Sequence, residues 1–293
     1  MTLGANVTST GVISNRTAVY AEKKMLKHAG PAVVLDKLGM NKTMPANKTP
    51  TIKFRRPRVF AAQTTPLAEG VTPNPTGFSY EDVTGTLRQY GQVEVITDQI
   101  EDFNEDPVLN DITVQSGENI GRTMEALDWA VLRAGTNVFY ANGASRAAVN
   151  TTITLGIQRA VIRALKKQKS MKISNVMDSS PNYATFSVEG AYVGICHTDV
   201  ENDIRDLPGF KHVAEYGNRK TICDHEIGSV EDVRYVCSPD LDPFADAGGS
   251  PGSTVVSTSG SAADVYPVLY IGREAYGRVM LRGQGAVEPT VIP

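Results

Sequence analysis

The sequence predicts an α+β protein in which strands and helices are segregated along the chain rather than alternating. Three observations predict it. The run from Thr51 to Ile100 reads as two β-rich stretches joined by a wide polar loop. Between Ile112 and Val131 apolar residues recur at steps of three and four, once Ser116 is allowed between Ile112 and Ile120, as on one face of a long helix. Later, short apolar runs stand between clusters of Gly, Ser, Pro and Asp, as strands between loops do. No internal repeat at solenoid spacing is visible.

In chain order, Met1 to Arg16 is polar, rich in Thr, Ser and Asn, and without period. It reads as an arm that orders against neighbours. Thr17 to Leu38 predicts a helix broken at Gly30-Pro31, with Met25, Leu26, Val33, Val34 and Leu38 as its apolar face and Gly39 as its stop. Asn41 to Pro50 reads as a linker.

The hairpin follows. From Thr51 to Phe60, Ile52 and Phe54 fall on one face, Lys53 and Arg55 on the other. Ser79 to Ile96 carries Val83, Leu87, Val93 and Val95 at odd positions, and as one strand would reach about 55 Å. The connection holds Pro66, Gly70, Pro73, Pro75 and Gly77 and few large apolar side chains. Two readings fit: a projecting hairpin that seeks a partner, or an ordinary antiparallel pair at the edge of a larger sheet.

Next, Asp106-Pro107 fits a helix start. Ile112, Ile120, Met124, Leu127, Val131, Ala134 and Val138 then predict one stripe of a helix over Val108 to Asn137. Gly117, Gly121 and Gly135 mark either close packing or a break. Thr151 to Lys169 predicts a second helix, with Ile153, Ile157, Val161 and Leu165 facing in and Lys166, Lys167 and Lys169 at its C-terminus. Tyr192 to Cys196 reads as a short buried strand. His197-Thr198-Asp199 opens a helix whose Val200 and Ile204 face in, and Gly228 to Val236 is another strand. Pro239 to Ala263 is a surface loop, and Asp264 to Leu281 is β-rich but interrupted by Gly272 and Gly277.

The chain has 293 residues, enough for one large or two modest domains. Its formal net charge of −3 gives no global attraction for nucleic acid. No apolar run approaches the roughly 20 residues of a membrane span, and the first residues lack the pattern of a signal peptide. Cys196, Cys223 and Cys237 are odd in number and lack metal-like spacing, so a reduced intracellular setting is the simplest account.

Several segments together resemble the major capsid proteins of tailed double-stranded DNA phages, in the branch with no fused protease. The likeness is carried by Thr51-Ile52-Lys53-Phe54-Arg55-Arg56, Thr65-Pro66-Leu67-Ala68-Glu69-Gly70-Val71-Thr72-Pro73, Gln89-Tyr90-Gly91 and Val95-Ile96-Thr97-Asp98. It continues through Ala134-Gly135-Thr136-Asn137-Val138, Tyr140, His197-Thr198-Asp199-Val200, Glu226-Ile227-Gly228 and Ala275-Tyr276-Gly277. Specificity rests on the collinear order of the set.

The resemblance implies the tailed-phage major capsid fold. Residues 1–50 would be an N-terminal arm and 51–100 an extended loop over a neighbouring subunit. Residues 101–150 would be a peripheral domain with a spine helix, 151–263 an axial domain, and 264–293 a return to the peripheral domain. Relatives usually continue well past the equivalent of Val287-Glu288-Pro289. The implied function is a shell protein that assembles with itself as pentamers and hexamers into an icosahedral capsid around packaged double-stranded DNA, without sequence-specific contact. Its place would be the virion, after assembly in the host cytoplasm. Scaffolding, portal and decoration proteins are possible partners, with no membrane. A cargo compartment of the encapsulin type is the alternative.

The residues expected at subunit contacts are Lys53, Arg55, Arg56, Arg58, Pro66, Leu67, Glu69, Val71, Glu81 and Asp82. Ile112, Ile120, Met124, Leu127 and Val131 are expected as the spine-helix core. The basic run Lys53 to Arg58 admits three readings: phosphate contact, a solvated strand face, or pairing with acidic residues of the next subunit. The last is preferred, with Glu81, Asp82, Glu101, Asp102, Glu105 and Asp106 as candidates.

No catalytic residue, metal or cofactor is expected. Asp224-His225-Glu226 reads as a polar turn, because adjacent strand residues point to opposite faces. Cys196-His197 reads as a buried Cys beside a His at a helix start, since catalytic partners normally meet through the fold. A hydrolase using His197 or His225 is the weakest option, and no phosphate loop, nucleophile elbow or dinucleotide fingerprint appears.

Overall fold

The computed structural model describes residues 34–44, 50–67, 69–70, 72–93, 108–177, 185–217, 219–252 and 255–281. The arm, and the helix over Thr17 to Leu38 except its last residues, lie outside them. The chain divides into two compact units. One comprises residues 1–40, 95–276 and 287–293, the other 41–94 and 277–286.

The larger unit is built on a six-stranded sheet. Its strands are β4 (Ile173–Met177), β5 (Thr185–His197), β6 (Phe210–His212), β7 (Glu226–Val230), β8 (Val233–Ser238) and β9 (Leu269–Ile271), in the order β4-β5-β8-β7-β6. β9 pairs antiparallel with β5 from Val193↔Ile271 to Ile195↔Leu269. β5 and β8 run parallel, from Tyr192↔Val233 to His197↔Ser238, while the other ladders are antiparallel. The predicted strand over Tyr192 to Cys196 is the fully buried part of the longer β5. The single strand predicted over Gly228 to Val236 is instead a hairpin, β7–β8. Glu231 turns the chain there at a φ of +51°, a conformation unusual outside glycine. Val-rich sequence on both sides hid the turn.

Each face of the sheet carries its own core, because strand side chains alternate between faces. On one face Val193, Ile195, Val236 and Ile271 pack with Ile173, Val188, Leu241, Val34, Leu35 and Trp129. On the other Tyr192, Cys196, Val233, Tyr235 and Cys237 pack with Ile162, Val200, Ile204 and Leu207. Val200 and Ile204 face in as expected, on a short 3-10 turn over Thr198–Val200 and the helix that follows it.

The first long helix, α1 (Val108–Leu132), reaches the first core through Trp129, whose indole N–H donates to the Asp242 carbonyl at 2.9 Å. It is unbroken at Gly117 and Gly121, and both are buried. Helix α1 ends five residues before Asn137, and the chain after Leu132 is turn and loop. Its buried line is Gly117, Gly121, Glu125 and Trp129, not the expected stripe. Ile112, Ile120, Met124 and Leu127 are half-buried, while Val131 is 75% exposed and Val138 51%. Gly and Glu score as surface residues in any apolar pattern, so the reading from periodicity was rotated around the helix.

Glu125 is fully buried because its carboxylate accepts backbone N–H bonds from Val34 (3.2 Å) and Leu35 (3.1 and 3.2 Å). Those donors open a 3-10 turn, Leu35–Lys37, rather than a continuing helix at Leu38. Gly39 then sits so close to Tyr276 that a Cβ would fall 2.4 Å from its ring.

The second helix, α2 (Leu155–Lys167), is capped by Thr154, whose hydroxyl accepts from the Ile157 N–H. Lys166 and Lys167 close it as expected. Its buried centre is Gln158 and Ile162, while Ile153, Ile157, Val161 and Leu165 are half-buried. The third, α3 (Glu201–Arg205), is short. From Pro239 to Ala263 the described chain forms no regular element, as expected of a loop, but it is not all surface, since Leu241 joins the first core and Ala263 is buried; Phe244 bridges to Val265 just beyond it.

The smaller unit holds two two-stranded sheets. β1 (Met40–Met44) pairs with β10 (Gly277–Leu281), so the expected linker from Asn41 begins as a strand. β2 (Thr51–Pro57) pairs antiparallel with β3 (Tyr80–Thr86). Gly277 lies where a Cβ would meet the Phe54 ring at 2.5 Å, a close approach only glycine permits.

Candidate functional site

The hairpin β2–β3 is short where the sequence suggested length. Its ladder runs from Thr51↔Thr86 to Pro57↔Tyr80, and the Arg58 N–H extends it by one bond to the Ser79 carbonyl, at 3.0 Å. Residues 87–93 are not strand, and 94–96 lie outside the described residues. The described residues of the Pro- and Gly-rich sequence between the strands form no ladder beyond that bond, and Gly70 turns at a φ of +78°. The expected alternation holds: Ile52 and Phe54 are half-buried, Lys53 and Arg55 exposed. No residue of either strand is fully buried.

The basic run finds its acids within the hairpin. Arg55 stands opposite Asp82 in register and donates through Nε and Nη2 at 2.7 and 2.9 Å. Arg56 stands opposite Glu81 and donates at 2.9 and 2.7 Å. These hydrogen bonds hold the Asp82 and Glu81 carboxyls below their ordinary range. The pairing expected between subunits is therefore satisfied inside one chain for these four residues. The physical reason is register, since cross-strand neighbours are the nearest partners a strand offers. Glu101, Asp102, Glu105 and Asp106 lie outside the described residues.

The loop beyond the ladder is exposed at every described position, including Pro66, Leu67 and Glu69; Val71 lies outside the described residues. Three aromatic rings line its base. Phe60 and Phe78 stand 5.7 Å apart, and Phe78 meets Tyr80 edge-on at 4.7 Å. The Arg55 guanidinium lies over the Tyr80 ring. All three rings are more than half exposed. The sequence reading passed over this cluster, although Phe60, Phe78 and Tyr80 at the facing ends of two strands were a usable signal.

Glu226, His197 and Cys196, which the sequence raised, are spent on structure, and Asp224 and His225 form the turn before β7, as expected. The Glu226 carboxylate accepts from the Tyr216 hydroxyl (2.9 Å) and the Ile222 N–H (2.6 Å), with buried Arg234 at 3.8 Å. Burial raises its pKa above the ordinary carboxylate value and raises that of Tyr216 to about 12. His197 Nδ1 accepts from the Asp199 N–H at 3.1 Å, a capping bond at the turn after β5. Cys196 points instead into the core, beside Cys237. Among the described residues no group of three or more His, Cys, Asp or Glu is placed to hold a metal. Gln158 was missed altogether. It donates to the Val230 carbonyl (3.0 Å) and accepts from the Tyr235 hydroxyl (2.9 Å), which meets Tyr270 at 2.9 Å.

A family model described as phage capsid protein matches residues 80–288. Among solved structures, the capsid of Ralstonia phage GP4 aligns with a TM-score of 0.56 at 15% identity, over 82% of this chain and 73% of that one. The capsid of the cyanophage P-SCSP1u aligns with a TM-score of 0.50 at 14% identity, over 86% and 76%. At such identity these likenesses speak for the fold. A search of curated proteins returned no match.

Proposed function

Because the chain belongs to the phage capsid protein family, we propose that it is the major shell protein of a tailed phage, a structural protein of the virion that assembles from many copies. The copies form pentamers and hexamers through ring-closing contacts and enclose double-stranded DNA. Assembly takes place in the host cytoplasm. The match to the family over residues 80–288 is the observation that carries this reading.

Within it, the hairpin is the extended loop and reaches over a neighbouring subunit. Arg55, Arg56, Glu81 and Asp82 act there as a rigid paired ladder. Lys53, Arg58, Pro66, Leu67, Glu69 and Val71 meet the neighbour, with α1 as the spine helix. Residues 1–50 serve as the arm up to Val34, where the chain joins the body through its core residues and β1; 151–263 form mainly the axial domain, to whose sheet β9 is added, and residues 101–150 and the rest of 264–293 belong to the peripheral domain. The exposed apolar side chains of the hairpin support this, since Val59, Leu67, Phe60 and Phe78 are more than half in water in the single chain.

Negative-stain electron microscopy with light scattering on the purified protein tests the class: shells or rings of five and six are expected. Deleting Ala61 to Gly77 tests the tie. The shortened chain is expected to stay folded and soluble yet form no closed shell, and normal shells from it would remove the loop's role.

A further inference from the structure

Two of the three cysteines, 41 positions apart in sequence, are neighbours in the fold. Cys196 on β5 and Cys237 on β8 are register partners in the one parallel ladder of the sheet. Both point into the same core, and both are buried. Their sulfurs stand 3.2 Å apart. Strands in a sheet lie roughly 4.7–4.9 Å apart, inside the Cα window of about 4.4–6.8 Å that a disulfide accepts. Cys223 belongs to the core on the opposite face and cannot compete. In the thiol state the Cys196 Sγ also lies within a weak hydrogen bond of the Val236 carbonyl, at 3.7 Å.

We infer that Cys196 and Cys237 are an oxidisable dithiol, converted by a low-molecular-weight disulfide into an intrachain bridge that ties β5 to β8. The steps balance. One thiolate attacks the small disulfide, forms a mixed disulfide and releases one small thiol. The other thiolate then displaces the second small thiol and closes the protein bond. The protein loses two electrons and two thiol protons, and the small disulfide is reduced to two thiols.

Burial sets the rate. The thiolate is the attacking species, and the hydrogen bond with the Cys237 sulfur, together with burial, pushes the Cys196 thiol well up. Oxidation therefore proceeds through local opening of the strands and is slow. A reducing cytosol keeps the pair open, and a particle released from the cell loses that protection. This timing rests on the capsid reading; the closure chemistry does not.

The test uses the full chain, purified reduced and incubated with oxidised glutathione, then alkylated in denaturant and mapped by mass spectrometry. Alkylatable thiols are expected to fall from three to the single Cys223, with Cys196 and Cys237 in one linked peptide pair. The unfolding midpoint rises and returns on addition of dithiothreitol. Cys237→Ser abolishes the link. Three free thiols persisting at a temperature where amide exchange shows β5 and β8 opening would overturn the inference. So would a bridge through Cys223, or a glutathione adduct that never resolves. The thiol count is independent of shell formation, so the failure of either reading is told from that of the other.

Discussion

The sheet of the larger unit and the β2–β3 hairpin of the smaller one are stabilised by different means. The sheet has an apolar core on each face, and its β8 is buried at every position. The hairpin has no fully buried residue in either strand. Its order comes from a seven-residue ladder, two cross-strand ion pairs and a row of exposed rings. Burial contributes about 1.5–3 kcal/mol for each large apolar side chain, whereas water and salt screen an exposed ion pair so that it contributes little. Stability therefore resides in the sheet, while the hairpin spends its side chains on a surface that a single chain does not use.

The largest effect that separates the two regions is expected at Trp129. Trp129→Ala removes the only tryptophan from the first core and is expected to cost about 3–5 kcal/mol in urea unfolding. A loss below about 1 kcal/mol would mean that this core does not hold the larger unit together.

Glu125 comes next. Glu125→Ala orphans the buried Val34 and Leu35 N–H groups and is expected to cost about 1–3 kcal/mol. Glu125→Gln keeps one side-chain oxygen as acceptor and is expected to lose less. Equal losses would assign the effect to the charge rather than to the hydrogen bonds.

The smallest effect belongs to the hairpin. Replacing Arg55 and Asp82 together by Ala is expected to leave the main unfolding midpoint unchanged and to speed amide exchange only in β2 and β3. Acid is expected to act the same way. The arginines depress the Asp82 and Glu81 carboxyls below their ordinary 3.8 and 4.5. The support these pairs give is thus complete above the ordinary values and is lost as pH falls through the depressed ones. Exchange rates corrected for intrinsic chemistry and measured across that window would check it. A fall in the main midpoint on the double substitution would show that the two regions are not energetically separate.

The same contrast explains what could be read in advance. Alternation made Ile52, Lys53, Phe54 and Arg55 legible, because one period of two decides the face of each. The inward Val200 and Ile204 were legible from helical spacing, and so was a long helix within Val108 to Asn137; Asp106 and Pro107, read as its cap, lie outside the described residues. The buried line of α1 was not, because Glu125 goes inside only when two backbone N–H groups from a segment 90 residues away are there to meet it. The turn at Glu231 was hidden by the apolar residues around it. The intrachain pairing of Arg55 and Arg56 depends on register, which the spacing of charges alone left open.

By itself the sequence determined the class of fold, the existence of two long helices, the shell-protein family likeness, and a hairpin whose loop has too few apolar residues to bury. Each follows from local pattern and composition, where one residue's preference is set by its near neighbours. Tertiary structure alone decided which carboxylate is buried, which charges pair, and that Cys196 meets Cys237. Those outcomes depend on which distant segment arrives opposite a given side chain, because desolvating a polar group is tolerated only where its partner is already in place.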